Sequence, residues 1–382
     1  MRLGKSSQHN YDARLAKPTA FARVRFQGEK SLLPSNLVVA FSTNMPPERV
    51  AVFCRSVREV CSPQSTEIVI ITEEPRELLE ALRPLDVRFQ WTSCDYRPTT
   101  AKLEKLLKRT LLHSCRLFAR TPLDRRLAGG AAARVQYRLA ESWCHPQIAR
   151  WFNYHSVLLE RPHVRRVLLS DVKDVILQAD CFAGLDERRV LAFEQTETYG
   201  QCRWDTEWLR DGWGRSALEA MRGELPLNVG TILGGYEPTL RFVRRVAELF
   251  CRYPFRSVEQ AAINWMLHRE GDGAELERRR NIEGQVAILA GKAARAAVEA
   301  RDGMIVRVAD QAPCPIVHMW DRWEDLNDLV LRRYAAPQAA EGEPMVETPP
   351  ESIFDEAAVA HDIPASPAAQ PMPAEPAPAG TD

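Results

Sequence analysis

The chain has 382 residues, 45% of them hydrophobic and 27% charged, ordinary values for a globular protein in water. No apolar run approaches the roughly 20 residues that span a bilayer, and the stretch M-R-L-G-K-S-S-Q-H-N lacks the apolar core of a signal peptide, so the expected location is cytoplasmic. Nine cysteines without a C-x-x-C pair fit reduced, mostly buried thiols better than a disulfide framework or a zinc site.

The formal charge balance of 51 bases and 51 acids hides an asymmetry. From Ala335 onward there are nine acids and no Lys or Arg, which leaves the rest of the chain at about +9. That last stretch is rich in Pro and Ala and has no apolar period, so it reads as a disordered tail. The body's excess is largely arginine, including Arg116, Arg120, Arg125, Arg126, Arg134 and Arg138. It suits an anionic partner such as a nucleotide diphosphate, an acidic acceptor or a membrane surface, and equally a solvated helix face. The expected division is an N-terminal extension over residues 1–35, one domain over 36–334, and the tail over 335–382.

In chain order, L-V-V-A-F (Leu37 to Phe41) predicts a short apolar strand. Ser42, Thr43 and Asn44 follow it, with Asn44 placed to cap the helix in which Val50, Phe53, Cys54, Val57 and Cys61 recur at helical spacing. E-I-V-I-I-T predicts a second strand, Leu78, Leu79 and Leu82 a helix, and V-R-F-Q-W a third strand. This β-α-β-α-β order implies a parallel sheet covered by helices. No G-x-G-x-x-G follows the first strand, which argues against a dinucleotide-binding domain.

Residues 95–145 read as helical and basic, broken near Gly129 and Gly130. Pro146 opens a helix with an apolar stripe of Ile148, Trp151, Phe152, His155 and Leu159, and Arg150, Asn153 and Tyr154 off its centre. Next comes V-R-R-V-L-L-S-D-V-K-D-V-I-L, in which Asp171 and Asp174 interrupt two apolar runs. Unpaired carboxylates are costly to bury, so a base, backbone N–H groups or a metal ion must compensate them. Asp180 reads as a turn residue. The strand V-L-A-F-E precedes a Trp-rich loop holding Trp204, Trp208 and Trp213. The strand L-N-V-G-T-I-L-G-G leads into a helix, S-V-E-Q-A-A-I-N-W-M-L-H forms another, and a short strand running into His318 is the last expected element.

In this order the motifs resemble those of GT-A nucleotide-sugar glycosyltransferases, of the glycogenin and lipopolysaccharide-galactosyltransferase type. The matching features are a helix with an arginine (Arg150), an apolar strand ending in acids (Asp171, Asp174), Asn228-Val229-Gly230, Glu259-Gln260 with Asn264, and a late His318. Two departures stand out: the acids are separated by Val172 and Lys173 where the family has one residue, and Glu259 stands where the family has Asp.

The resemblance implies an α/β fold with a GT-A-like, mostly parallel central sheet flanked by helices. It also implies a metal-dependent sugar transfer to an acceptor hydroxyl, with retention of configuration, in surface polysaccharide or glycan synthesis. Asp171, Asp174 and His318 would be the metal ligands; Ser42, Thr43, Asn44, Arg150, Asn228 and Gly230 would meet the donor; Gln260 and Glu259 would serve the reacting sugar. Trp204, Trp208 and Trp213 would stack on acceptor rings or pack onto the body.

The chemistry agrees from its own side. Breaking a sugar–phosphate bond needs stabilisation of a diphosphate, and two carboxylates at the carboxyl edge of a parallel sheet suit Mn2+ or Mg2+, with an imidazole tilting the choice to Mn2+. The expected partners are a nucleotide-sugar donor, a UDP-sugar foremost, and a carbohydrate or glycoconjugate acceptor. Peripheral membrane association is compatible with the basic body, and no nucleic acid is expected. A catalytically silent GT-A-fold carbohydrate-binding or scaffold protein, and a nucleotidyltransferase, are the alternatives.

Overall fold

The computed structural model describes residues 33–43, 45–73, 82–94, 102–119, 121, 131–254, 258–273 and 275–335. Asn44, Leu78, Leu79, Arg120, Arg125, Arg126, Gly129, Gly130, most of the N-terminal extension and the tail after Ala335 lie outside them.

The strands are β1 (Asn36–Ser42), β2 (Thr66–Thr72), β3 (Val87–Trp91), β4 (Arg166–Asp171), β5 (Val175–Leu177), β6 (Val190–Glu194), β7 (Leu227–Gly235), β8 (Leu276–Arg279), β9 (Val286–Ile288), β10 (Val298–Arg301), β11 (Met304–Arg307) and β12 (Ile316–His318). The helices are α1 (Pro47–Val60), α2 (Lys102–Ala119), α3 (Ala131–Trp143), α4 (Pro146–Leu159), α5 (Arg203–Trp213), α6 (Arg215–Met221), α7 (Tyr236–Arg252), α8 (Glu259–Glu270), α9 (Lys292–Ala296) and α10 (Glu324–Tyr334).

A seven-stranded sheet runs in the order β3-β2-β1-β4-β7-β6-β8. Its neighbours pair in parallel except that β7 runs antiparallel to both β4 and β6. It is the mostly parallel sheet, flanked by helices, that the resemblance implies. The period-2 rule explains why β1 is apolar from Leu37 to Phe41 without alternation. Leu37 and Val39 face a core shared with α4, α7 and α8, while Val38 and Ala40 face the core under α1. A second, three-stranded sheet, β5-β12-β9, continues from the end of β4, and β10 pairs with β11 in a hairpin.

Four expectations are corrected. The Trp-rich loop is the helix α5: Asp205 and Leu209 are buried one turn apart, Trp204 and Trp208 share the same spacing, and Gly214, at φ 90°, ends the run. In α4, Arg150, Asn153 and Tyr154 are buried rather than peripheral, and Leu159 is exposed, because polar partners let the helix be covered on more than its apolar stripe. The short segments β8, β9, β10 and β11 form strands although L-E-R-R and V-E-A-R carry little apolar pattern. Finally, α10 follows the strand at His318, and its Leu326, Val330 and Tyr334 are buried against Trp320 and Ile176.

The cysteines of the described residues are free thiols, seven of them buried, as their pattern suggests. No helix among the described residues is long and apolar enough to cross a membrane.

Candidate metal centre and its surroundings

The carboxyl ends of β1, β4 and β6 share one edge of the main sheet, the edge at which open α/β sheets hold ligands. Phe41 of β1 pairs with Asp171 of β4, so Ser42 lies one strand away from that acid. On its other side, β4 pairs Ser170 with Thr231, which places Gly230 of β7 beside Asp171. The two residues between the acids form a bend in which the chain leaves the main sheet for β5, and this bend accommodates the longer spacing. Across the second sheet, His318 pairs with Val175, and the N–H of Met319 donates to the carbonyl of Asp174 at 2.8 Å.

Asp171, Asp174 and His318 therefore meet, with one ligand atom from each within 4.8 Å of the others. The Nε2 of His318 is 3.3 Å from Asp174 Oδ1 and 3.5 Å from Asp171 Oδ2. The ring is 1% exposed, and Nε2 has no hydrogen-bond partner, while Nδ1 lies 3.4 Å from the hydroxyl of Thr231. Burial would lower the imidazole's pKa, but Asp174 and Asp171 push it up to about 9. A side chain at Gly230 would overlap the Asp171 carboxylate and come within 2.6 Å of His318 Cε1. A buried imidazole nitrogen beside two carboxylates is a donor set that fits Mn2+ or Mg2+.

The second charge on Asp171 is Arg150. Its guanidinium bridges Asp171 Oδ1 and the Glu259 carboxylate, with Nε donating to Glu259 Oε2 at 2.9 Å and Nη2 approaching the carbonyl of Val229 at 3.5 Å. Trp151 Nε1 donates to the same Glu259 oxygen at 2.6 Å. Burial raises the Glu259 carboxyl and Arg150 opposes it; three converging N–H donors mark the group as a carboxylate. For Asp171, burial would raise the pKa, but Arg150 and His318 hold it below the usual carboxylate range. Arg166 pairs instead with Glu187, and Lys173 reaches Asp321 at 3.8 Å.

The other expected positions fall around this floor. Ser42 is buried with its hydroxyl lacking a partner, and Thr43 is half-buried. The Asn228 side chain accepts from the N–H of Gly230 at 2.9 Å, shaping the turn of backbone beside Asp171. Asn264 is a satisfied packing residue: it bonds the N–H and carbonyl of Leu227 and the carbonyl of Gln260. Asp180 accepts from the N–H of Phe182, as a turn residue does. Trp213 packs edge-on against Tyr253 and beside Trp265, whereas Trp204 is 36% exposed.

Sequence reasoning missed Asp205. It is 2% exposed, and its Oδ1 accepts from Nε2 of Gln260 at 2.7 Å. Its spacing from Leu209 was the available signal.

No family model matches the chain, and no curated protein matches it. Among solved structures it is similar to the galactosyltransferase LgtC in complex with donor and acceptor sugar analogues, at 12% identity and a TM-score of 0.37. It is similar also to an active-site mutant of LgtC, at 13% identity and a TM-score of 0.40. Each match covers 79% of this chain and 98% of the other. Identities and scores this low say nothing about chemistry.

Proposed function

We propose that the protein is a metal-dependent glycosyltransferase that moves a sugar from a nucleotide-sugar donor to an acceptor hydroxyl with retention of configuration. The observation that carries this reading is the meeting of Asp171, Asp174 and the buried Nε2 of His318 at the carboxyl edge of the sheet, beside a glycine whose missing side chain leaves room for Asp171 and His318. Asp171, Asp174 and His318 would hold Mn2+ or Mg2+, which when bound supplies Lewis-acid stabilisation of a diphosphate leaving group.

The chain's own groups have distinct tasks in this reading. Ser42 and Thr43 line the end of β1 where the nucleoside would rest, and Asn44, proposed with them, lies outside the described residues. Arg150, itself held by Glu259, gives the floor a fixed positive charge and holds Asp171 in one orientation. The backbone at Asn228 and Gly230 allows the donor sugar to approach closely. Gln260 offers an amide oxygen to the positive charge that develops at the anomeric carbon. An amide is a weak nucleophile, so its part is electrostatic rather than covalent. The acceptor would be a carbohydrate or glycoconjugate, and membrane association would be peripheral.

The test is a panel of sugar nucleotides scored for slow hydrolysis with and without Mn2+, alongside thermal shift with each nucleotide. A transferase hydrolyses at least one donor in a metal-dependent manner and gains stability when metal and nucleotide are present together. Indifference to every nucleotide and metal pair would leave the silent scaffold as the better reading.

A further inference from the structure

Gln260 is held more firmly than a surface amide needs. Its backbone carbonyl accepts from Asn264 Nδ2 at 2.9 Å, and its side-chain nitrogen donates to Asp205, an acid on a different helix. Asp205 stands in the first turn of α5; Arg322 is near enough to lower its pKa, but no ion pair to Asp205 is formed among the described residues. A carboxylate buried without an ion pair costs stability, which makes the hydrogen bond from Gln260 its main compensation.

The amide of Gln260 has two different ends, a carbonyl oxygen and an NH2 group. Turned one way, it presents an acceptor to the cleft; turned the other way, it presents donors, which repel a developing positive charge. An ionised carboxylate accepts hydrogen bonds and donates none, so a carboxylate beside Gln260 permits only one of the two orientations.

We propose that Asp205 is a positioning residue that fixes the Gln260 amide with Nε2 toward α5, so that Oε1 is the end delivered to the reacting sugar. This rests on the role given to Gln260 above. The neighbourhood of Asp205 supports it. Cys202, one turn earlier, is a second neighbour that holds the carboxyl's pKa down, as Gln260 does. Leu209 is fully buried on the same face of α5, which anchors the helix against Ala261 of α8.

Four variants decide the matter: Asp205→Leu, Asp205→Asn, Gln260→Ala, and Asp205→Leu combined with Gln260→Ala. Donor turnover by Asp205→Leu is expected to lose about tenfold or more in kcat, with KM for the donor within about twofold of wild type. Asp205→Asn keeps an acceptor oxygen and should recover most of that loss. Once Gln260 is already Ala, Asp205→Leu should cost nothing further. Equal losses in both backgrounds, or a kcat unchanged by Leu, overturn the proposal.

A readout free of turnover separates this from the functional reading. In the full chain, the side-chain amide NMR signal of Gln260, identified by its loss in Gln260→Ala, should exchange slowly with water and shift on Asp205→Asn. An amide that exchanges like free glutamine and ignores that substitution overturns the positioning role, whatever the enzyme transfers. A fully active Gln260→Ala with a protected wild-type amide overturns the catalytic role of Gln260 and leaves the hydrogen bond standing. Should Asp205→Leu fail to fold, the Asp205→Asn kinetics and the amide signal decide between these outcomes.

Discussion

The Nε2 of His318 lies 3.3 Å from Oδ1 of Asp174 because β12 and β5 pair antiparallel with His318 opposite Val175, the residue next to Asp174. The contact is thus set by strand register, and Met319, in the left-handed region at φ 64°, turns the chain away immediately after it. If two carboxylates and one neutral imidazole held in this way bind a cation, as proposed, replacing any of them should weaken that binding. Asp174→Asn keeps the side-chain volume and removes the charge. Metal-dependent turnover should drop by about a hundredfold or more while the circular dichroism spectrum stays unchanged. His318→Ala should abolish the extra thermal stabilisation by Mn2+ with nucleotide. Undiminished Mn2+ response in both variants would remove these residues from the metal shell.

Gly230 supplies a steric test of the same site. A methyl group there would overlap the Asp171 carboxylate and crowd His318, so Gly230→Ala must displace one of these two proposed ligands. The variant should fold, bind Mn2+ at least tenfold more weakly by titration calorimetry, and lose turnover in proportion. Gly284→Ala is the matched control, since nothing lies within 4 Å of its added carbon. Equal affinities in the two variants would show that the space beside Gly230 is not used by a ligand.

The Arg150–Glu259 pair is almost completely buried, with side chains 8% and 6% exposed, and double substitution should reveal its energetics. Removing Glu259 leaves Arg150 with Asp171 as its carboxylate partner and Trp151 Nε1 without its acceptor, so Glu259→Leu should cost about 1–3 kcal/mol in urea unfolding. The combined Arg150→Met, Glu259→Leu variant should be the more stable of the two although it is equally inactive. A double variant less stable than the single one would mean that Arg150 stabilises the fold more through Asp171 than its burial beside Leu costs.

The parts of this structure legible in the sequence are those governed by short-range pattern. The apolar runs at Leu37 to Phe41 and Val167 to Leu169 specify strands because both faces are covered, and Asp171 and Asp174 stand out as charges where the pattern demands apolar residues. What stayed hidden depends on partners far along the chain. Arg150 looks peripheral on a helical wheel because the residues that permit its burial, Glu259 and Asp171, are contributed by α8 and β4. Asp205 looks like a solvent-facing helix acid until Gln260 is known to face it. The strands β8 and β10 draw their order from neighbours rather than from alternation of their own.

Asp205 also makes a pH prediction for stability. Burial raises its carboxyl, with Cys202 and Gln260 opposing, so its folded pKa lies above the unfolded value. Below the ordinary carboxylate range both states are protonated and the shift has no effect. As pH rises through that range the unfolded chain ionises first, and the native state loses stability relative to it until the folded group ionises as well. Asp205→Asn cannot ionise, so its stability advantage over wild type should grow from pH 3 toward pH 7 and then level off. Urea titrations at several pH values measure this directly. A gap that shrinks with rising pH would mean that the hydrogen bonds outweigh burial.

The last prediction concerns where the folded body ends. Tyr334, at the end of α10, is 3% exposed; its hydroxyl donates to the carbonyl of Leu177 at 3.3 Å, and its own carbonyl accepts from Arg55 at 2.8 Å. Through Leu177 this helix braces β5, whose first residue follows Asp174, so removing α10 should loosen the site as well as the core. Deletion after Ala335 removes nine acids and leaves every one of those contacts, so melting temperature should stay within a few degrees and turnover of soluble substrates within about threefold of wild type. Deletion after Trp323 removes the buried Leu326, Val330 and Tyr334 and should cost several kcal/mol, enough to unfold many domains. If the two truncations behave alike, either α10 is dispensable or the acidic segment belongs to the core, and the melting curves of the pair distinguish these outcomes by whether both are native-like or both are lost.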